Sequence, residues 1–373
     1  MKKLFALLMA VMMCVCMVSG LAETAGEAYK IGVVIPLSGN FAFFSAYFSP
    51  ILDIYVKDLN EAGGINGHPV ELVYKDNQGD ATITAQRLDE LLEENVSAVI
   101  GPFMDTCGPA AAQWATENKI PVVMCCALST EIGMANQSDY VFCAGSSAWA
   151  WAKVFANAVN AAGYESAYYV GNEGGVPDDV YNFFWEEMKK LNPDVENIGS
   201  VRLSGTESDL SSVIASIMMA DPDVVVTSLT GGGAITFISQ AVQFGLYDDS
   251  DMYGVYIEGA DHTESLADSY PCGSIWAIDW FPVNFAATQD WAEEIYNAAG
   301  GVIPNGASFN FYMAAATICE ALKTMDFEAR FDSDKLVEAL EQIKVASPLD
   351  GYECYYTDYS HQMIFPMYFS GSA

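Results

Sequence analysis

Short apolar runs typical of buried strands alternate with helical stretches along almost the whole chain, and this alternation restricts the possible folds. The first run is YKIGVVIP at 29–36. The stretch after it carries apolar residues at the spacing of one helical face, namely Ile51, Ile54, Tyr55 and Leu59. Strands that alternate with helices predict parallel sheets covered by helices on both faces.

The pattern continues to the end of the chain. Strands are predicted at 29–36, 69–75, 97–101, 120–124, 166–171, 223–229, 252–259, 273–280 and 363–369. Helices are predicted at 45–61, 81–94, 108–118, 148–162, 178–191, 233–244, 288–299, 307–325 and 333–343. The chain has 373 residues, of which 52% are hydrophobic, so it can bury two cores of ordinary size. We therefore predict an α/β protein of two lobes, each a doubly wound sheet, with the ligand site in the cleft between them.

The stretch LNEAGGINGHPVELVYKDNQGD at 59–80 marks a tight connection from a helix to a strand. The helix is predicted to end near Ala62. Gly63 and Gly64 can then adopt the left-handed conformation that stops a helix. We expect Ile65 to pack back on the domain and Asn66-Gly67 to form the turn before the next strand.

The first 22 residues have the pattern of a signal peptide. Lys2 and Lys3 precede an apolar run at 4–18, which is short for a membrane span, and small residues precede a cleavage point after Ala22. We predict cleavage there and export to the periplasm or the cell surface. An uncleaved anchor is the alternative interpretation.

Charge and motif content exclude several classes of function. The chain has 49 acidic and 15 basic residues, a formal net charge of −34, so nucleic acid is excluded as a partner. The motifs GxSxG, GxGxxG and the P-loop are absent, and the three histidines are not in metal-ligand spacing. We expect no enzymatic activity, no cofactor and no metal, and we expect His68 and His361 to lie on the solvent side.

The cysteines do not form a metal or disulfide pattern. Seven of the nine lie after the predicted cleavage point, an odd number, and no CxxC pair occurs. That count argues against a zinc site and against a full disulfide framework. We expect several of these thiols to be buried as small apolar side chains.

The order of several motifs resembles that of the type I periplasmic binding proteins, and within them the branched-chain amino-acid-binding components of ABC importers. The helix end NEAGGING at 60–67 is followed by a strand and an Asp-containing loop with Asp76, Asn77 and Asp80. IGVVIPLSG at 31–39, VSAVIGPFMD at 96–105 and IPVVMCCALSTEI at 120–132 are similar to the family's first, third and fourth strands with their loops.

This resemblance implies two α/β lobes joined by three hinge strands. The N-terminal lobe would comprise 29–144 and 280–346, and the C-terminal lobe 145–279 and 347–373. Closure of the lobes on a small-molecule ligand, an amino acid or a related polar molecule, would present the closed form to an ABC permease of the membrane. We expect a monomer. The alternative function is a sensory module that binds an amide or amino acid and feeds a separate receptor.

The resemblance also implies binding residues on the N-terminal lobe. Ser129 stands where the family has a hydroxyl that contacts the ligand, with Ala127 in the same loop; a helix N-cap is the other role for Ser129. Asp105 replaces a Ser that touches the ligand carboxylate in the family. Either Thr106 takes the hydroxyl role, or the ligand has no carboxylate there, or Asp105 only caps the next helix. Phe44 matches an aromatic lid over the ligand, with core packing as its alternative.

The remaining candidates lie on or near the C-terminal lobe. Glu258 matches the acid that pairs with the ligand ammonium, or it is a solvated loop residue. Trp149 and Trp151 begin a helix near the first hinge strand, and at most one of them can face the cleft, since residues i and i+2 do not share a helix face. Thr230 stands where a Tyr is common, so the pocket is expected to differ from that of a standard leucine binder.

Overall fold

The computed structural model of the protein describes residues 27–125, 138–255, 266, 270–279, 289–301, 304–348 and 351–371. Within these residues the first sheet has five parallel strands in the order β2-β1-β3-β4-β5. Its strands are β1 (Tyr29–Ile35), β2 (Val70–Asp76), β3 (Ala98–Ile100), β4 (Val122–Met124) and β5 (Val141–Cys143). The helices between them are α1 (Ser45–Glu61), α2 (Ala81–Glu94) and α3 (Gly108–Asn118).

A second sheet follows in the chain, with six strands among the described residues in the order β14-β10-β9-β8-β6-β7. Only β14 runs antiparallel to its neighbour. Its strands are β6 (Ser166–Asn172), β7 (Glu196–Leu203), β8 (Val224–Thr227), β9 (Asp251–Val255), β10 (Ile275–Asp279) and β14 (Tyr368–Gly371). The helices that precede, separate or follow these strands are α4 (Ala148–Ala162), α5 (Gly175–Leu191), α6 (Ser211–Ala220) and α7 (Gly231–Phe244).

The rest of the described chain forms three helices and a small antiparallel sheet. The elements are α8 (Gln289–Ala298), α9 (Gly306–Lys323), α10 (Ser333–Gln342), β11 (Lys344–Ala346), β12 (Glu353–Tyr356) and β13 (Met363–Ile364). α9 is buried almost throughout and packs against α1, while the small sheet packs against α9 and α10. The prediction of two separate, doubly wound α/β sheets is confirmed by this topology. The residue boundaries of the two lobes stay a prediction.

Helix ends agree closely with the sequence because local signals set them. α1, α2, α3 and α4 begin and end at the predicted residues. Asp80 caps α2 by accepting a hydrogen bond from the Ile83 N–H at 2.9 Å, and Gly163 ends α4 in the left-handed conformation at φ +77°.

The strand predictions were less complete. The sequence analysis missed the strands β5, β7, β11 and β12, and it also missed the helix α6. β7 is an edge strand with mostly half-buried or exposed residues, so it lacks an apolar run. The single strand predicted at 363–369 is divided between β13 and β14, with Pro366 between them, because proline cannot donate to a ladder. The part of the predicted strand 252–259 beyond Val255 lies outside the described residues.

The predicted connection after α1 is confirmed. The Gly64 N–H bonds to the Leu59 carbonyl at 2.9 Å, and Ile65 is fully buried. Ile65 and His68 exchange two backbone hydrogen bonds, so Asn66 and Gly67, both at positive φ, form a two-residue turn.

The expectation for His361 was wrong, because its side chain is buried with 7% exposure and its ring stacks on Phe142. His68 is half-buried, with its ring stacked on Phe327. Five of the six described cysteines are buried, as expected for small apolar side chains. Among the described residues, none of the helices combines the length and the apolar character that a membrane span requires.

Candidate functional site

Each parallel sheet has a point at which the strand order reverses, and the loops at the carboxyl ends of the strands separate there. In the first sheet this point lies between β1 and β3, and in the second between β6 and β8. Ligands of open α/β sheets bind in the crevice at such a point. The candidate site is therefore built from the loops that follow these four strands.

On the first sheet, the loop after β1 provides an aromatic wall. Phe44 is half-buried at the end of a 3-10 turn at 39–44, with its ring 4.1 Å from that of Phe43 and 4.7 Å from that of Phe103 in the loop after β3. Phe43 is 60% exposed, whereas Phe48 behind Phe44 is fully buried. Phe44 thus packs on the core and also lies at the edge of the crevice, and its role as a lid over the ligand stays a prediction.

Asp105 and Thr106 lie in the same loop as Phe103, in a 3-10 turn at the carboxyl end of β3. Asp105 is half-buried and Thr106 is exposed, while Cys107 behind them is fully buried. The N-cap residue of α3 is Cys107 rather than Asp105. The structure therefore brings Phe44, Asp105 and Thr106 to one edge of the first sheet.

Asp76, the last residue of β2, fastens the loop after β1. Its carboxylate accepts hydrogen bonds from the N–H groups of Leu37 (2.9 Å), Ser38 (3.2 Å) and Gln78 (3.0 Å), and from the Ser38 hydroxyl at 2.5 Å. Partial burial alone would raise the pKa of Asp76, but these four donors together hold it below the usual range. In the sequence Asp76 was noted only within a motif, since its partners lie 38 and 39 residues away.

Replacing Asp76 with alanine is expected to lower the free energy of unfolding at pH 7 by about 1–2 kcal/mol, because charge-assisted hydrogen bonds at a partly exposed site are lost. A lowered folded-state pKa contributes stability above the unfolded pKa, and this contribution disappears as pH falls through the folded pKa. Urea unfolding should therefore show a larger difference in the free energy of unfolding between wild type and Asp76→Ala at pH 7 than at pH 3. Asp76→Asn, which keeps one acceptor, is the control, and equal stability of wild type and Asp76→Ala at pH 7 would contradict this role.

On the second sheet, Asn172 at the end of β6 holds the loop after β8. Its Oδ1 accepts a hydrogen bond from the Thr230 N–H at 3.1 Å. Thr230 is exposed and is the N-cap residue of α7, but its side chain makes no capping hydrogen bond. Asn172 was missed by the sequence analysis. The sequence does contain a signal for Asn172, because it is a polar residue directly after the apolar strand SAYYVG.

Two helices begin side by side at this edge, and neither has a side-chain cap. α7 starts with Gly231-Gly232-Gly233, and α5 starts at Gly175 with Gly174 in the N-cap position. Such helix ends present unpaired N–H groups and a partial positive charge. In a chain of net charge −34, this edge of the second sheet is therefore suited to an anionic group.

Close backbone packing fixes the position of these loops. Gly205, at φ +80°, lies against Gly233, where an added Cβ would come within 3.1 Å of the Gly205 Cα atom. The Ser228 hydroxyl lies 2.5 Å from that of Tyr169, which also donates to the Pro177 carbonyl at 2.8 Å. These contacts join the loops after β6, β7 and β8 into one preorganised edge.

Trp149 and Trp151 at the start of α4 have different environments. Trp149 is 37% exposed, with the Lys153 ammonium 4.2 Å from its ring centroid. Trp151 is 2% exposed and its Nε1–H donates to the Ser146 hydroxyl at 2.7 Å. Of the two, Trp149 is the one available to a ligand, which agrees with the expectation that they cannot share a face.

Three candidate residues, Ala127, Ser129 and Glu258, lie outside the described residues. Within the part of the chain that the structure describes, no group of three or more His, Cys, Asp or Glu side chains is placed to hold a metal ion. The described site therefore offers aromatic rings, a half-buried carboxylate and hydroxyls on one side, and helix N-termini on the other.

Comparison with known proteins places this arrangement in a family. The profile of the family described as "Periplasmic binding protein" matches residues 28–371. The Leu/Ile/Val-binding protein homolog 7 of Brucella abortus (strain 2308) is 25% identical over 355 residues, which cover 87% of this chain and 83% of that relative.

Solved structures show the same fold. The leucine-, isoleucine-, valine-, threonine- and alanine-binding protein from Brucella ovis, in its closed conformation, aligns with a TM-score of 0.83 at 19% identity, over 92% of this chain and 89% of that one. A solute binding protein of an ABC transporter from R. palustris, in complex with benzoate, aligns with a TM-score of 0.76 at 18% identity, over 93% and 94%.

The two sheets, the site at their switch points and the full-length family match lead to one conclusion. The expected fold, two α/β lobes joined by hinge strands, is confirmed, and so is the expectation that the protein is not an enzyme. The chain belongs to the periplasmic binding protein family, has the type I fold of that family, and is a solute-binding protein.

Proposed function

We propose that this protein is the exported solute-binding component of an ABC importer, which binds a small carboxylate-bearing molecule between its lobes and delivers it to a membrane permease. The observation that carries the proposal is the pair of uncapped helix N-termini of α5 and α7, at the switch point of the second sheet. The family membership supports the transport role and the export of the chain after cleavage at Ala22.

The two edges of the crevice suit different parts of one ligand. The N-termini of α5 and α7 provide N–H donors for a carboxylate. Phe43 and Phe44 on the first sheet provide an apolar surface for a side chain or a ring. Asp105, half-buried in the neighbouring loop, suits an ammonium group. An amino acid with an apolar side chain could use the N–H donors, the apolar surface and the Asp105 carboxylate. An aromatic carboxylate could use only the N–H donors and the apolar surface.

A thermal-shift screen of residues 23–373 tests the ligand class with matched pairs of probes. The probes are L-isoleucine, L-phenylalanine and benzoate, each beside its carboxamide. A ligand that binds only the folded state at a hundredfold excess over its Kd stabilises it by ~2.7 kcal/mol. We expect a shift with at least one acid and a much smaller one with its amide. Equal shifts for an acid and its amide would contradict carboxylate binding, and no shift with any probe would contradict the proposal.

Replacing Gly232 with aspartate tests whether the carboxylate of the ligand binds at the N-terminus of α7. A Cβ at Gly232 has no neighbour within 4 Å, and an acidic residue in a first helical turn stabilises the helix. The variant should therefore fold, but its carboxylate would repel that of the ligand, and we expect an affinity loss of about tenfold or more by calorimetry. Gly232→Asn has nearly the same shape without the charge and should bind within a few-fold of wild type. Equal affinity of the aspartate and asparagine variants would place the ligand carboxylate elsewhere.

The transport role has a separate test. Uptake of the identified ligand by cells should be lost when this chain is deleted and restored by the wild type but not by Gly232→Asp. Unchanged uptake after deletion would favour the sensory role over transport.

A further inference from the structure

Two neighbouring helices on the second sheet carry no charged residue. α6 spans Ser211–Ala220 and α7 spans Gly231–Phe244, which together make 24 residues. At the 17% charged content of the chain, 24 residues would carry about four charges. α5, which covers the same sheet, carries six charged residues over its 17 positions. A surface helix usually exposes charged residues opposite its buried stripe, so the outer surface of α6 and α7 differs from the rest of this acidic protein.

Only one side of each of these helices is buried. The buried side chains, none of them more than 1% exposed, pack in one core with the strands of the second sheet; they are Ile214, Ile217, Phe237, Ile238 and Ala241. The opposite side of α7 lies beside the start of α6, and the two form an open groove of about 590 Å³. That volume falls within the range of small-molecule sites.

Gln240 joins the two helices along this groove. Its Oε1 accepts a hydrogen bond from the Leu210 N–H at 2.8 Å, and its Nε2 donates to the Ser208 carbonyl at 2.9 Å. Asp209, between those two residues in the chain, is oriented as well, since its Oδ1 accepts from the Ser211 N–H at 3.0 Å. The protein's own hydrogen bonds therefore set the shape of the groove before any ligand binds.

Other side chains along the groove are available to a ligand. Ser239 and Gln243 are four residues apart and so lie on the same side of α7. Neither side chain makes a hydrogen bond to another residue in the described part of the chain. Phe244, the last residue of α7, is 44% exposed and also lines the groove. The groove thus offers a hydroxyl, an amide and the Asp209 carboxylate for hydrogen bonds, beside one aromatic ring.

We propose that the groove between α6 and α7 binds a neutral oligosaccharide. Each hydroxyl of a sugar both donates and accepts, so it matches a serine hydroxyl and a glutamine amide and can donate to the Asp209 carboxylate. The C–H face of a sugar ring is apolar and packs on an exposed aromatic ring such as that of Phe244. An anionic ligand would be repelled by Asp209 and by the net charge of −34.

The open shape of the groove favours a chain of sugars over a single one, because neighbouring sugar units can extend past its ends. The groove is separate from the crevice at the switch points. α7 contributes its N-terminus to the crevice and its outer side, from Ile235 onwards, to the groove. The proposal therefore does not depend on which ligand the crevice binds.

Saturation-transfer NMR of residues 23–373 tests the proposal with maltotriose, cellotriose and triacetylchitotriose as neutral probes. We expect magnetisation transfer to the ring protons of at least one of them, and calorimetry then gives its Kd. Trigalacturonate, an anionic trisaccharide, is the charge control and should receive none. Absence of transfer to all three neutral probes at millimolar concentration would overturn the proposal, and so would equal transfer to trigalacturonate.

Gln243→Ala and Phe244→Ala test the position of the bound sugar. Both side chains are exposed in the last turn of α7, so both variants should fold, which thermal unfolding verifies. Each should weaken binding of the probe by about fivefold or more, because a hydrogen bond or a stacking contact is lost.

Met219→Ala is the matched control for these two variants. Met219 is 87% exposed on the same uncharged surface but does not line the groove, so this variant should keep the wild-type affinity. Wild-type affinity in both Gln243→Ala and Phe244→Ala would overturn the proposal. A loss confined to Phe43→Ala would assign the sugar to the crevice and would overturn it as well.

Discussion

Phe311→Ala is expected to lower the free energy of unfolding by about 3–5 kcal/mol, because it would open a cavity in the buried contact between α9 and α1. Phe311 lies on α9 and is fully buried. Its ring stacks on that of Phe48 from α1, with 4.1 Å between the centroids and 18° between the planes. Phe103 lies against both rings, at 4.5 Å from Phe48 and 6.4 Å from Phe311. The surrounding aromatic rings cannot collapse into the space that a lost ring leaves.

The control for this prediction lies at the other end of the same column of rings. Phe43 contacts Phe44, which contacts Phe48, but Phe43 is 60% exposed. Phe43→Ala removes the same atoms from a solvated position, so we expect a loss below about 1 kcal/mol. Urea unfolding of the ligand-free variants, followed by tryptophan fluorescence, measures both values. Similar losses at the two positions would mean that the rings do not form a continuous packed column.

Gly64→Ala is expected to lower the free energy of unfolding by about 2–5 kcal/mol, for two separate reasons. Gly64 has φ +73°, and alanine in this conformation costs about 1–2 kcal/mol. A Cβ at this position would also lie 2.1 Å from the carbonyl oxygen of His68, a backbone atom that cannot rotate away. Relief of that clash requires the turn at 65–68 to move, and Ile65 in the turn is fully buried.

Gly67→Ala separates the two costs. Gly67 lies in the same connection at φ +84°, but a Cβ there has no neighbour within 4 Å. Only the conformational cost applies, so we expect a loss of about 1–2 kcal/mol. Chemical denaturation of both variants under one condition gives the comparison. If Gly67→Ala is as unstable as Gly64→Ala, the close approach to His68 does not matter and the conformation alone explains both.

The helices and the two-lobe division could be predicted because their signals are local. The ends of α2 and α4 depend on Asp80 and Gly163, which act within one turn of the chain. The connection at 59–70 is likewise set by glycines and one Asn-Gly pair. The alternation of apolar strands and amphipathic helices then leaves few arrangements other than covered parallel sheets.

The candidate site was predicted less completely, since its residues meet only after the sheets form. The sequence analysis named Phe44, Asp105, Thr106, Trp149 and Thr230. The structure places the first three at the edge of the first sheet and Thr230 at the edge of the second. The sequence analysis named neither Asn172 nor Asp76 as a site residue, although both position the loops. Their importance depends on partners that the local sequence does not reveal.

The sequence by itself determined the helix ends, the tight connection after α1 and the α/β class, because each depends on residues within a few positions of one another. Only the tertiary structure decided that β7 forms an edge, that 363–369 divides between two sheets and that His361 is buried. Asn172 meets Thr230 across 58 residues, and His361 meets Val141 across 220. Hydrogen bonds over such separations form only when the whole chain has packed, so no local pattern can encode them.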